Sequence, residues 1–249
     1  MSETLFPLPP APEKSRWSDL LLYLVGGFGL YLLATLVLGL LITDFTNIWA
    51  IFSIYLLNGL CLGGSLYFWG VRRGKTSWSA LGVYPPVWNW RWFWLAIGLT
   101  ALLIPIRGVL ALIVEWLLGG GSQGLQTRMD LFTAGGGFSW LKFALSLLGI
   151  GIIAPISEEF YFRGLLQGWL KGRFSFWPRI LLSAALFGLA HFDTLSVAVS
   201  AVVMGLVNAV ALEKSKSLWL PVFLHMLTNS FALIVLYLSM LLLPALGIQ

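Results

Sequence analysis

SWLKFALSLLGIGIIAPISEEFYFRGLLQGWL, residues 139–170, is the stretch whose reading decides the fold. It is far longer than the about 18 apolar residues that mark a transmembrane helix. In its second half it nevertheless holds two adjacent carboxylates, Glu158 and Glu159, and an arginine, Arg163. Ionisable groups inside a membrane span are costly and are functional candidates by default. The stretch is therefore read as a span that carries a site.

The chain around it agrees. Of its 249 residues 59% are hydrophobic and only 10% charged, whereas a soluble domain carries about 25% charged residues. Further apolar runs cover about 19–43, 48–71, 92–118, 178–192, 195–212 and 217–243. The expected fold class is all-α, a polytopic transmembrane helical bundle. It has seven spans, or eight if the last run is broken, around a mid-membrane cavity. Thirteen tryptophans suit the aromatic belts of membrane interfaces. The lone cysteine, Cys61, excludes an internal disulfide and a multi-cysteine metal site, and reads as a small buried hydrophobe.

The expected organisation has three parts. Residues 1–18, polar and rich in proline (Pro7, Pro9, Pro10, Pro12), read as a disordered tail. Residues 19–135 read as N-terminal transmembrane helices, and 136–249 as the core that carries the chemistry. The run at 19–43 is too long for a signal-peptide core and reads as a retained anchor. Eleven of the fifteen basic residues fall in one alternating set of loops: Lys14, Arg16, Arg72, Arg73, Lys75, Arg91, Lys171, Arg173, Arg179, Lys214 and Lys216. The positive-inside rule then puts the N-terminus in the cytoplasm of a multi-pass protein, as in a bacterial inner membrane or its equivalent. The net charge of +5 follows from these loops, and no nucleic-acid partner is expected. The loop 72–91, with Trp78, Pro85, Pro86 and Trp88, reads as an interfacial segment. The loop 119–137, with its two glycine triplets, reads as a gate or an idle linker. No internal repeat is present, which disfavours a secondary transporter.

Few ionisable groups fall within the runs: Arg107, Glu115, Glu158, Glu159, Arg163, His191 and His225. Arg107 and Glu115 read as structural. The other five form part of three local patterns. In Glu158-Glu159-Phe160-Tyr161-Phe162-Arg163, Glu159 and Arg163 share a helix face and can pair, while Glu158 points about 100° away. Phe187-Gly188-Leu189-Ala190-His191 is the second. His225-Met226-Leu227-Thr228-Asn229 is the third, and it puts His225 and Asn229 on one face. At about 1.5 Å per residue, Glu158, His191 and His225 lie roughly 20, 18 and 14 Å from their nearest basic anchors. Three separate helices thus bring a carboxylate and two imidazoles to similar depth. A snorkelling helix end, or two satisfied core histidines, is the bland alternative.

Together these patterns resemble the CPBP (Abi) family of intramembrane proteases, which includes the type II CAAX prenyl endopeptidases. Its signature of Glu-Glu-x-x-x-Arg, Phe-x-x-x-His and His-x-x-x-Asn reads here as Glu158-Glu159-x-x-x-Arg163, Phe187-x-x-x-His191 and His225-x-x-x-Asn229. The resemblance covers roughly 140–243. It implies that Glu158 activates water as general base and that His191 helps to hold that water. It also implies that His225 and Asn229 stabilise the oxyanion, while Glu159, Arg163 and Phe187 shape the site. The base must lie within hydrogen-bond reach of the water, and fixed donors must sit where charge develops.

The same residues leave a metal open: Glu158, His191 and His225 could hold zinc with a water in the fourth position. The sequence lacks His-Glu-x-x-His, and a metal-independent glutamate mechanism with no cofactor is the favoured reading. The implied substrate is a membrane-associated, prenylated or lipid-embedded protein or peptide. A non-catalytic scaffold or bacteriocin-immunity-like protein of the same fold, and a proton-coupled transporter, are the competing readings. The turn at Asp193 and Thr194 is expected within the outer leaflet, with Gly188 and Gly205 allowing close helix approach.

Overall fold

A computed structural model describes residues 16–42, 44, 46–83, 90–119, 123–191 and 194–245. The expectations for the tail before Arg16, and for Pro85, Pro86, Trp88 and Asp193, lie outside these residues. Among the described residues there are helices and no strand. In chain order they are α1 (Trp17–Leu41), α2 (Ile48–Val71), α3 (Trp90–Leu117), α4 (Gln123–Thr133), α5 (Trp140–Lys171), α6 (Phe176–Leu189), α7 (Leu195–Ser215) and α8 (Trp219–Ala245).

Six of these, α1, α2, α3, α5, α7 and α8, are long and apolar enough to cross a membrane. This is a multi-pass membrane protein in a bilayer environment. The expected span at 178–192 is different. α6 has 14 residues, about 21 Å at 1.5 Å per residue, against a hydrocarbon core of about 30 Å. Its last helical residue is Leu189, and Ala190 and His191 turn away. Hydropathy did not register this stop, because the residues beyond it are as apolar as the helix. The last run stays one helix through Ala245, so it adds no eighth span. The glycine-flanked loop 119–137 contains α4.

Caps explain two of the helix starts. The Asn47 side chain accepts a hydrogen bond from the Trp49 N–H at 2.9 Å and opens α2. Thr194 does the same for Val197 at 3.2 Å and opens α7. Lipid supplies no hydrophobic force between helices, so packing and polar contacts hold such a bundle. The distribution of burial follows. The outer faces of α1 and α3 expose Leu36, Leu40, Leu102, Ile106 and Val109. Trp17, Trp90, Trp116, Trp140 and Trp177 are exposed at helix ends, as interfacial belts require. Inside lie Asn58, Glu158, Glu159, Arg163, Gln167, Asn208, Glu213 and His225. α7 is half buried over its most apolar stretch and α1 only 6%, so α7 is central and α1 peripheral. α7 packs on α3, α6 and α8, and α5 packs on α2 and α8.

The basic loops meet at one end of the bundle. The Trp169 indole donates to the Arg16 carbonyl at 3.2 Å, and Lys75 pairs with Asp19 at 3.7 Å. Arg179 pairs with Glu213 at 2.8 Å. Arg107 and Glu115 both bond to serines of α7. Arg107 Nε donates to Ser200 at 3.2 Å, and the Ser196 hydroxyl donates to Glu115.

Glycine allows α6 to lie against α7. A Cβ added at Gly188 would sit 2.3 Å from Val202 Cγ2 and 2.9 Å from the Ala198 carbonyl oxygen. Backbone cannot yield as a flexible side chain can. Gly188→Ala is therefore expected to destabilise by about 1–3 kcal/mol through overpacking, exceeding the up to ~1 kcal/mol that alanine gains in helix propensity. A lower melting temperature of the detergent-purified variant checks this.

Candidate active site

The site begins with an irregularity in α5. Leu147–Ile153 and Phe160–Leu166 are wound as π-helix, with Ala154–Glu159 between them. Such π segments are rare and frequent at functional sites. Pro155 supplies the cause on one side. It has no N–H, so the carbonyls four and five residues back, Gly151 and Ile150, lose their helical donor. In lipid an unpaired carbonyl costs several kcal/mol. α8 satisfies both: Asn229 Nδ2 donates to the Ile150 carbonyl at 3.1 Å, and Ser230 Oγ to that of Gly151 at 3.4 Å. The broken ladder of α5 thereby fixes the height of α8. His225 stands one turn before Asn229.

Glu159 is fully buried and surrounded by donors. Arg163 Nε lies 3.1 Å from its Oε2. Asn208 Nδ2 at 2.8 Å and His225 Nδ1 at 2.9 Å both reach Oε1. A carboxylate tied to three helices in this way is fixed in place. The Arg163 guanidinium, itself fully buried, lies 4.5 Å from the centre of the Phe187 ring. Phe187 also packs against His191 at 4.6 Å and His225 at 5.7 Å between ring centres. This aromatic ring is the common wall of the site.

Glu158, the adjacent carboxylate, faces the other way. Its Oε2 lies 3.8 Å from His191 Nε2 and 4.0 Å from His225 Nε2. The two rings are oriented through their other nitrogens. His191 Nδ1 is 2.8 Å from the Phe187 carbonyl, at the open C-terminal end of α6. His225 Nδ1 is on Glu159. A carbonyl and a carboxylate only accept, so both Nδ1 atoms carry hydrogen. Both Nε2 atoms are left to converge on one Glu158 oxygen.

The three sequence patterns thus meet in space. Glu158, Glu159, Arg163, Phe187, His191 and His225 form one cluster. Asn229 sits beside it, with one amide N–H on Ile150. The sequence reading missed Asn208. It is neutral, and a polar residue in the apolar run Val202–Ala211 is its one signal in the sequence. It also missed the Ser157 hydroxyl bound to Asn58 at 2.8 Å, which ties α5 to α2.

Glu158, His191 and His225 are the residues that would hold a zinc ion, and their spacing bears on it. Tetrahedral ligands about 2.0–2.1 Å from zinc stand about 3.3 Å apart, whereas the separations here are 3.8 and 4.0 Å. Among the described residues no three His, Cys, Asp or Glu side chains are grouped to hold a metal ion. Two partners of one water, with hydrogen bonds of about 2.8 Å at a tetrahedral angle, stand about 4.6 Å apart, so the observed gaps lie between the two cases and the spacing alone favours neither.

Residues 138–231 match the family model described as Type II CAAX prenyl endopeptidase Rce1-like, and this stretch holds every member of the cluster. This segment is similar to that family over 138–231. YdiL of Bacillus subtilis (strain 168) is 28% identical over 130 residues, covering 51% of this chain and 50% of that protein. An uncharacterised 24.3 kDa protein of Escherichia coli is 35% identical over 94 residues, 36% of this chain and 43% of its own. The membrane-embedded CAAX protease MroQ of Staphylococcus aureus (strain USA300) is 28% identical over 147 residues, 57% of this chain and 56% of its own. The chain thus spans about half the length of the curated relatives it matches. No solved structure matches it significantly. The Rce1-like segment runs from the start of α5 into α8, and so includes the half-length helix α6.

Proposed function

We propose that this protein is an intramembrane endopeptidase that hydrolyses a peptide bond of a membrane-associated protein or peptide. The observation that carries the reading is the convergence of both imidazole Nε2 atoms on the Glu158 carboxylate, at 3.8 and 4.0 Å. The match of residues 138–231 to the Rce1-like family model supports it, as does the similarity to a protein named as a membrane-embedded CAAX protease.

The hydrogen bonds suggest the roles. His225 Nδ1 lies on Glu159, which turns its Nε2 toward the reacting centre, and in the proposed mechanism that Nε2 carries a hydrogen. Glu158 remains a carboxylate. Water lies between Glu158 and His191, donating to the carboxylate and to the imidazole lone pair. As water attacks the carbonyl carbon, its proton passes to Glu158. The His225 Nε2–H donates to the oxygen that becomes negative, a contact of most value where water is excluded. Glu158 then delivers its proton to the leaving nitrogen, the C–N bond breaks, and a carboxylic acid and an amine depart. Asn229 has a second amide N–H for the oxyanion, and its first holds α8 in register. Glu159, Arg163 and Asn208 orient His225. In this reading the basic end of the bundle faces the cytoplasm, which the positive-inside rule supports.

The protein reconstituted in liposomes with extracted membrane proteins, in water enriched in oxygen-18, tests this reading. Hydrolysis labels each new C-terminus with one heavy oxygen. If no new termini form while the reconstituted protein stays folded, the peptidase reading fails and a scaffold role replaces it.

A further inference from the structure

Away from this cluster, α1 and α2 border a groove of about 610 Å³, lined among others by Gly26 and Leu30 of α1 and by Gly64 and Phe68 of α2, with Arg72 and Arg73 at one end. We propose that this groove binds one anionic glycerophospholipid, an acyl chain along the apolar walls and the phosphate on the two arginines.

The shape fits a chain. The volume lies in the range of small-ligand sites, about 300–1,000 Å³. From Leu60 to Arg73 the groove follows α2 for about 20 Å, somewhat more than the roughly 15 Å of one leaflet's hydrocarbon. The walls are open to the bilayer: Leu60, Leu30 and Phe68 are all exposed. The polar end fits a phosphate. Arg72 stacks 5.8 Å from the Phe68 ring centre and Arg73 5.8 Å from that of Trp69. Each arginine rests on the aromatic ring four residues before it, which holds its planar fork at the mouth of the groove. Such a fork matches phosphate oxygens bidentately. Among the described residues neither arginine has a carboxylate partner. Basic pockets between transmembrane helices recognise anionic headgroups by these means. A neutral or zwitterionic lipid would offer the arginines no net charge.

Gly64 provides a selective test. A Cβ built there meets nothing within 4 Å, so Gly64→Leu fills the groove without pressing on the bundle. Native mass spectrometry of the full-length protein, equilibrated in detergent with equimolar dioleoyl phosphatidylglycerol and dioleoyl phosphatidylcholine, reads the retained lipid. The wild type is expected to keep one phosphatidylglycerol. The ratio of bound phosphatidylglycerol to phosphatidylcholine is expected to fall about tenfold in Gly64→Leu and in Arg72→Gln/Arg73→Gln. Melting temperatures within a few degrees of wild type show that both variants are folded. An equal ratio in all three proteins means loose annular lipid and overturns the proposal. Loss in only one variant also overturns it, because groove and arginines must act on the same molecule. A dimer that Gly64→Leu dissociates with lipid retention unchanged would give the groove to a second copy of the chain.

Discussion

Glu158→Gln is expected to lower turnover by about 10²–10⁴-fold, the range general acid–base catalysis supplies, and to leave the fold intact. Glutamine keeps the shape of the side chain and its place between the imidazoles, but it cannot take a proton from water. His191→Ala is expected to fall in the same direction, since the water then loses one of its two holders. The measurement is the initial rate of cleavage by equal amounts of folded wild-type and variant protein. A rate within threefold of wild type for Glu158→Gln would remove that residue from the chemistry.

Arg163→Ala carries the largest expected effect on stability, about 3–5 kcal/mol, as measured for buried ion pairs broken on one side. Arg163 and Glu159 are both fully buried, and they lie one turn apart at 3.1 Å. Removing the guanidinium leaves Glu159 charged in the interior and strips the packing of Arg163 from Phe187. The Arg163→Leu/Glu159→Leu pair is expected to lose less than the two single changes added together. That non-additivity separates an ion pair from two independent packing losses. Equilibrium unfolding of the four proteins in detergent measures it. Additive losses would show that the pair is not coupled.

These two positions also show how far the sequence could be read. Glu159 and Arg163 are four apart and announced their pairing through helical spacing alone. Depth arithmetic from basic anchors brought Glu158, His191 and His225 to one level, and in the structure they meet. The partners that complete Glu159 were not legible in this way. Asn208 comes from α7, and only tertiary packing puts its amide on that carboxylate. The length of α6 was hidden because Ala190 and His191 continue the apolar run while the backbone turns. Asn229 was assigned by motif to the oxyanion. Its bond to Ile150 follows from Pro155, 74 positions earlier in the chain, and no local pattern joins a missing N–H on one helix to an amide on another. Residues 19–135 carry no motif. Their contribution, including the groove between α1 and α2, emerges only from how the helices pack.

The most direct measurement compares new protein N- and C-termini, by mass spectrometry of membranes, between cells expressing wild type and cells expressing Glu158→Gln at equal levels. Termini present with wild type and absent with the variant are the predicted result, and their sequences would name the substrate. The same set of termini in both membranes, with both proteins inserted, would contradict a peptidase built on Glu158.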